Sequence, residues 1–317
     1  MSKKSEKLLI TGACGFLGGH LLNMAGDFGF DAVGLGFGAL ADDSLIRLDI
    51  TDKNAVFEAV KKIAPTVIIH CAAISDMAFC EKNEVVAQRV NVDGTLNLAK
   101  AAKEIKAHFI YISTDLVFDG IRGNYSESDL ANPINVYGKT KYEGEKVTLE
   151  TNPNFTVARL SWCYGLSINK SQNYLDKFIA SLKNGEEQKL FVDEFRTPIY
   201  VGHACHYLFG LAKKKNKGVF HLAGKEKHSR LDFGLKVADI FKSDSGLDSD
   251  LIKPSLREEF APHRPKDTSL VSKKVFLRRF TKKLHPPYSQ VIEILDYIEF
   301  WEDAHIIAKN CGVFRLD

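Results

Sequence analysis

Residues 9–18 read Leu9-Ile10-Thr11-Gly12-Ala13-Cys14-Gly15-Phe16-Leu17-Gly18: an apolar run, glycines three apart, then a second apolar run. The order predicts a strand, a tight turn and a helix. Glycines at 12, 15 and 18 let the backbone turn sharply and approach a pyrophosphate, whose charge is stabilised at a helix N-terminus. The spacing alone also fits a plain tight turn. Its place as the first strand-turn-helix of an alternating series favours a dinucleotide site, with Cys14, Phe16 and Leu17 lining the same turn and Cys14 offering its backbone rather than its thiol. The surrounding stretch from Leu8 to Gly26 carries no charged residue and follows a basic start, as a leader or membrane span would. Five glycines, His20 and Asn23 interrupt it, and the strand-turn-helix explains it better.

Outward from this turn, apolar runs alternate with amphipathic ones, the sign of βαβ units and a parallel sheet. Strands are expected at Leu8–Thr11, Ala32–Leu35, Thr66–His70, Phe109–Ser113 and Thr156–Leu160. Helices are expected over Gly15–Asp27, Lys53–Ile63, Glu84–Lys106 and Asn135–Glu150. Right-handed crossovers make this a doubly wound α/β sheet of the NAD(P)-binding Rossmann type, with its ligand crevice at the carboxyl ends of the strands. Beyond about residue 165 the alternation weakens, which suggests a smaller C-terminal substrate-binding lobe. The division expected is a dinucleotide-binding domain over 1–165, to which 197–224 returns, and a lobe made of 166–196 and 225–317. The strand Val219–Leu222 lies in the returning piece.

With 317 residues, 45% hydrophobic and 26% charged, the chain has the composition of an ordinary folded protein, neither disordered nor fibrous. A net charge of +3 gives no reason to expect nucleic acid as a partner, and no other segment is long enough to span a membrane. The cysteines Cys14, Cys71, Cys80, Cys163, Cys205 and Cys311 form no CxxC pair, which points to a reducing, cytoplasmic setting. The oligomeric state stays open and admits a homodimer.

Two further stretches carry chemistry. The second strand ends in Gly34-Leu35-Gly36-Phe37-Gly38, without the carboxylate that binds the ribose 2′-hydroxyl of NAD. That omission favours NADP(H) as cofactor and leaves NAD(H) open, since no adjacent Arg selects the 2′-phosphate. Asp42, Asp43 and Arg47 read as solvated loop residues. In Tyr137-Gly138-Lys139-Thr140-Lys141 the phenol and ammonium are four residues apart on one helix face. A nearby ammonium favours the phenolate and would lower the Tyr137 pKa, fitting the phenol to give a proton to a carbonyl oxygen.

Together these residues resemble the extended short-chain dehydrogenase/reductase superfamily. Gly12, Gly15 and Gly18 match its glycine motif, Tyr137 and Lys141 its active-site pair, and His70-Cys71-Ala72-Ala73 the loop along its cofactor. Asn91-Val92-Asp93-Gly94-Thr95 matches the helix of its proton-relay Asn. Tyr111-Ile112-Ser113-Thr114-Asp115-Leu116-Val117-Phe118-Asp119-Gly120 is similar to the signature of the dTDP-4-dehydrorhamnose reductase (RmlD-like) family. Asn135 to Lys141, Arg159 to Gly165 and Arg264-Pro265 to Leu270 fit the same group, and the resemblance spans about residues 7–275.

The resemblance implies an NADP(H)-dependent reductase of a nucleotide-sugar with a 4-keto group, as in dTDP-rhamnose biosynthesis. Its catalytic residues would be Tyr137 as acid, Lys141 tuning it and holding the nicotinamide ribose, Thr114 on the carbonyl oxygen and Asn91 as relay. Asp49, Ile50, Cys71, Ala72 and Ala73 would join the turn in holding the cofactor. Ser75, Asp115, Trp162, Arg196 and Arg264 would meet the substrate, with Tyr164 a further aromatic candidate. Two departures bear on the substrate: Leu116 stands where many relatives carry a Tyr, and it is not the Glu of the related dehydratases. The alternative implied is a non-catalytic, NADP-binding regulatory subunit similar to the methionine adenosyltransferase beta subunit.

Other clusters read as ordinary structure. His203, Cys205 and His206 lack a fourth ligand at suitable spacing, so no metal is expected. Lys213 to Lys217 reads as a charged helix end, and the basic stretch from Lys273 to Lys283 as a solvated helix face.

Overall fold

The computed structural model describes residues 6–38, 44–169, 173–245 and 247–274. Its first half runs β1 (Glu6–Thr11), α1 (Phe16–Met24), β2 (Phe30–Gly36), β3 (Ile46–Arg47), α2 (Lys53–Ile63), β4 (Val67–His70), α3 (Met77–Lys82), α4 (Glu84–Gln88), α5 (Gly94–Glu104), β5 (His108–Thr114), α6 (Val136–Thr151) and β6 (Thr156–Leu160). There follow β7 (Cys163–Tyr164), α7 (Tyr174–Lys183), β8 (Gln188–Phe191), β9 (Phe195–Arg196), β10 (Ile199–Tyr200), α8 (Val201–Lys214), β11 (Gly218–Leu222), β12 (His228–Ser229), α9 (Arg230–Ser245) and β13 (Ile252–Ser255).

Seven parallel strands form one sheet in the order β11-β6-β5-β4-β1-β2-β3. The expected Rossmann-type architecture is therefore present. Along β1, Leu8 and Ile10 point into one core and Leu9 into the other; in β4, Val67 and Ile69 oppose Ile68 in the same way. Both faces are covered, which is why these strands read as unbroken apolar runs. The first core lies under α1 and α8, and the second under α2, α5 and α6. Each large side chain fully buried there is worth roughly 1.5–3 kcal/mol.

The strand order switches between β1 and β4, from which the sheet grows outward in both senses, and a crevice opens at their carboxyl ends. Gly12 has φ +66, and a Cβ there would meet the amide nitrogen of Ala72 at 2.7 Å. A Cβ on Gly18 would run into the carbonyl of Gly12. These two positions let the first turn of α1 sit directly on the end of β1.

Three differences from the sequence expectation are local. The single helix expected over 84–106 is α4, a π-helical turn at Arg89–Asp93, and α5. The wider turn accompanies a tertiary bond: Asn91 accepts from the Ile74 amide at 2.8 Å and donates to the Ile74 carbonyl at 3.0 Å. Strand β3 and helix α3 were not expected; α3 is capped by Asp76, which accepts from the Phe79 amide at 2.9 Å.

A second cluster of elements sits at the carboxyl end of the sheet. Two-stranded pairs β7 with β10, β8 with β13 and β9 with β12 surround α7 and α9, whose Phe178, Leu182, Phe233 and Val237 share a separate core. Strand β11, far along the chain, closes the main sheet beside β6. Most of the basic stretch beginning at Lys273 lies outside the described residues.

Replacing Gly18 by Ala should destabilise the protein by about 1–3 kcal/mol through overpacking. Urea unfolding measures it, and unchanged stability would show that α1 can shift off β1.

Candidate active site

A cleft of about 840 Å³ runs along the carboxyl ends of the strands. At one end lies the glycine turn, closed by a hydrogen bond from the Gly15 amide to the Gly12 carbonyl at 2.9 Å. Gly15 is the N-cap of α1 and offers no side chain to its first amides, which leaves them directed at the cleft as donors for an anion. Asn169 reaches across and donates to the carbonyls of Cys14 and Gly15, both at 3.1 Å. The Cys14 thiol contacts the Phe37 carbonyl at 3.9 Å, so its side chain faces the end of β2.

Phe16, Leu17, Phe37, Asp49 and Ile50 continue the wall. Asp49 accepts from the amide and hydroxyl of Thr51 at 2.9 and 2.8 Å, fixing the loop after β3. Arg89 donates to the Thr51 hydroxyl at 3.3 Å and lines the same region. Cys71, Ala72, Ala73 and Ser75 form the opposite side.

Asn91, expected as a relay residue, does not line the cleft. Its side chain is fully buried, bound to Ile74 and to the Thr140 hydroxyl at 3.0 Å, and so pins the cofactor-side loop to α6. Behind it His70 is held between Thr11 at 2.7 Å and Thr95 at 3.0 Å. Burial first, then the charge of Lys141, keeps its imidazole neutral, with a pKa well below the usual value.

Further along the cleft are Thr114, Tyr137 and Lys141. Asn135 accepts from the Gly138 amide at 2.7 Å and Glu81 from the Val136 amide at 2.8 Å, which starts α6 at the cleft and sets Tyr137 and Lys141 in its first two turns. Here the electrostatics depart from expectation. Burial and the neighbouring Asp115 raise the Tyr137 pKa, against a hydrogen bond from Thr114 and the charge of Arg196. The phenol is therefore held in its neutral form. Burial lowers Lys141 to about 7, with Cys71 and Glu145 opposing, and its ammonium lies 4.1 Å from the centre of the Tyr111 ring.

The wall beyond Tyr137 is ionic. Arg196 donates to Asp115 at 3.0 Å and its Nε lies 3.4 Å from Glu194, with both carboxylates 1% exposed. Ser161 and Thr268 add hydrogen bonds to Asp115 at 3.2 and 3.4 Å. Asp115 is thus enclosed by protein partners, and burial raises its pKa in spite of Arg196. Arg264 grips Glu194 through two bonds of 2.7 Å, and Arg230 approaches it at 3.5 Å. Arg230 also lies 4.1 Å from the Trp162 ring centre, making an aromatic and cationic face on the cleft. Tyr164 is instead packed against Phe233 in the separate core of α7 and α9. Leu116 is 4% exposed and gives the reactive end an apolar side chain.

Arg230, Glu194, Arg89 and Thr51 had no signal in the sequence; each is a common residue outside any motif. His203, Cys205 and His206 lie along α8, where the His206 Nδ1 contacts the Gly202 carbonyl at 3.1 Å. Among the described residues no group of three or more His, Cys, Asp or Glu side chains is placed to hold a metal, and no helix is long and apolar enough to cross a membrane.

A doubly wound sheet with this glycine turn and a Thr-Tyr-Lys group defines a nicotinamide-dependent short-chain dehydrogenase/reductase. Within that class the chain belongs to the RmlD substrate binding domain family, whose profile matches residues 6–298. It is 36% identical to methionine adenosyltransferase 2 subunit beta of Bos taurus over 75% of this chain and 72% of that one. It is 33% identical to dTDP-4-dehydrorhamnose reductase of Aggregatibacter actinomycetemcomitans over 74% of this chain and 78% of the relative. The crystal structure of dTDP-4-dehydrorhamnose reductase from Bacillus anthracis in complex with NADP superposes with a TM-score of 0.76 at 29% identity, covering 88% of this chain and all of that one.

Glu194 yields a prediction about acid stability. Burial alone would raise its pKa, but Arg230, Arg264 and Arg196 hold it at about 2, below the ordinary 4.5. A depressed carboxylate stabilises the fold above the unfolded-state pKa and loses that contribution as pH falls from 4.5 towards 2, on the order of 3 kcal/mol in all. Glu194→Gln should therefore cost about 3–5 kcal/mol at neutral pH by leaving buried guanidinium groups unpaired. Its stability should also fall less steeply with acid, and an unchanged pH profile would contradict this assignment.

Proposed function

We propose that the protein is an NADP(H)-dependent reductase of a nucleotide-activated 4-keto-deoxysugar, as its relatives named dTDP-4-dehydrorhamnose reductase are. The observation that carries this reading is one cleft with a donor-rich glycine turn at one end, a neutral phenol beside Thr114 and Lys141 in the middle, and a wall of three arginines beyond. The residues fit the cofactor. Gly12 and Gly18, where a Cβ would strike the backbone of Ala72 and of Gly12, keep the turn tight on the end of β1, and the uncapped start of α1 suits a pyrophosphate.

A dihydronicotinamide held along the glycine turn and the Cys71–Ala73 loop would supply the hydride that a carbonyl carbon takes up. Tyr137 gives its phenolic proton to the carbonyl oxygen as charge develops there, so the ketone becomes a hydroxyl. Thr114 hydrogen-bonds at the same point, and Arg196 favours the phenolate left behind. Lys141 would hold the nicotinamide ribose. Arg196, Arg230 and Arg264 set three positive charges against the two of Asp115 and Glu194, an excess suited to a nucleotide diphosphate. Trp162 adds an aromatic face for the base or sugar.

In this reading residues 1–165 with 197–224 form the cofactor-binding unit, and 166–196 with the chain from 225 the substrate lobe. The setting is a reducing cytoplasm, which suits the five free thiols among the described residues. Identity to the methionine adenosyltransferase beta subunit supports a second reading, a regulatory subunit acting through a partner enzyme. NADPH oxidation by the purified protein with dTDP-4-dehydrorhamnose separates the two. Turnover supports the reductase; no turnover, with altered kinetics of an added methionine adenosyltransferase, supports the regulator.

Tyr137→Phe keeps the ring and removes only the transferable proton, so turnover should fall by about 10²–10⁴, or roughly 3–5 kcal/mol of transition-state stabilisation. Cofactor affinity should hardly change, whereas Lys141→Ala should damage both. Intact turnover in Tyr137→Phe would remove Tyr137 as the acid. A fluorescence titration should also find NADPH bound more tightly than NADH, since the Gly36-Phe37-Gly38 end of β2 lacks a carboxylate; equal or tighter NADH binding would contradict it.

A further inference from the structure

Glu145 is a carboxylate 3% exposed that no step above uses. It lies on α6 four residues after Lys141 and eight after Tyr137, so the three share one helix face. Two other strands hold it. Ser113, at the end of β5 and next to Thr114, donates its hydroxyl to Oε1 at 2.5 Å. Arg159 on β6 donates from Nε at 2.9 Å and from Nη2 at 2.7 Å. A buried ion pair of this kind adds little stability over an apolar pair of similar volume, so stability alone gives no reason for it.

The groups around Lys141 come from three elements. His70 and Cys71 face it from the end of β4, Tyr111 from β5, and Tyr137 and Glu145 from the turns of α6 before and after it. His70 is kept neutral by burial, and burial pushes the Cys71 thiol up to about 12, so neither carries charge at neutral pH. Tyr137 is a neutral phenol with a raised pKa. Of these neighbours, Glu145 brings the negative charge.

We propose that Glu145 is a positioning residue: bound to β5 through Ser113 and to β6 through Arg159, it fixes the turn of α6 that carries Lys141 and places a carboxylate one helical turn from that lysine. It acts on substrate only through Lys141. The inference deepens the reductase reading and rests on it for the kinetic half of its test. Burial draws Lys141 down to about 7, and the Glu145 charge opposes that fall. Removing the charge lowers the lysine pKa further, so the ammonium is lost at a lower pH.

The test is NADPH affinity, read by fluorescence titration of the full-length protein from pH 6 to 9, with kcat/KM over the same range. In the wild type affinity should fall on the alkaline side as Lys141 deprotonates. In Glu145→Gln that limb should move to lower pH by about one unit, with NADPH bound several-fold more weakly at pH 8. A loss of equal size at every pH, or no change, would overturn the proposal, because a purely structural role moves affinity without moving the titration. Should Glu145→Gln leave Arg159 unpaired and fail to fold, the double variant Glu145→Gln with Arg159→Met removes both charges and should move the limb the same way by less, since the lost guanidinium had opposed Glu145. A folded double variant that titrates like the wild type would overturn the proposal as well. The binding arm needs no substrate, so a protein without reductase activity would defeat the reductase reading while Glu145 is still judged.

Discussion

Arg196 joins two buried carboxylates that the chain places far apart. Asp115 directly follows β5, and Glu194 precedes β9 in the second group of elements. Through that guanidinium the wall of the cleft is held at a fixed distance from Thr114 and Tyr137. Arg230 and Arg264 complete the arrangement by converging on the same Glu194. Breaking one member of such a set leaves charge buried without a partner, which costs far more than the intact set gains. The joint is therefore a constraint on geometry before it is a source of stability, and it leaves the cleft with an excess of positive charge.

The same burial acts in opposite senses on the two groups at the reactive end. Removing water disfavours whichever form is charged, so it raises the phenol of Tyr137 and lowers the ammonium of Lys141. In the proposed reduction this would be a useful pairing. The phenol would hold the proton that the carbonyl oxygen needs, while the lysine stays close to the point where it can still be charged. The Glu145 and Arg159 pair behind α6 extends that logic one turn deeper, where Ser113 connects it to the strand that carries Thr114.

What the sequence made legible was whatever depended on neighbours in the chain. The Gly12 to Gly18 turn, the strand over Thr156–Leu160, the helix over Lys53–Ile63 and the i, i+4 relation of Tyr137 and Lys141 all follow from local pattern. Tertiary partners decided the rest. The π-helical turn at Arg89–Asp93 accompanies the bond from Asn91 to Ile74, seventeen positions away, and no helix propensity reports that. Arg230 and Glu194 are single charged residues whose role comes from Arg196 and Arg264. Lys141 was expected to govern the Tyr137 phenol, but burial raises it first, the buried Asp115 adds to the rise, and Thr114 and Arg196 oppose it. Tyr164, equally aromatic on paper, went to the core with Phe233.

If this cleft delivers a hydride and a proton to a ketone on a nucleotide-sugar, the label of a deuterated cofactor must reach the sugar. Incubation with NADPH deuterated at the transferable position, followed by mass and NMR analysis of the sugar product, should find one deuterium, on the carbon that bore the keto group, with the wild type and not with Tyr137→Phe over the same interval. A 4-keto sugar nucleotide recovered without deuterium, while NADPH remains bound to the folded protein, would contradict it.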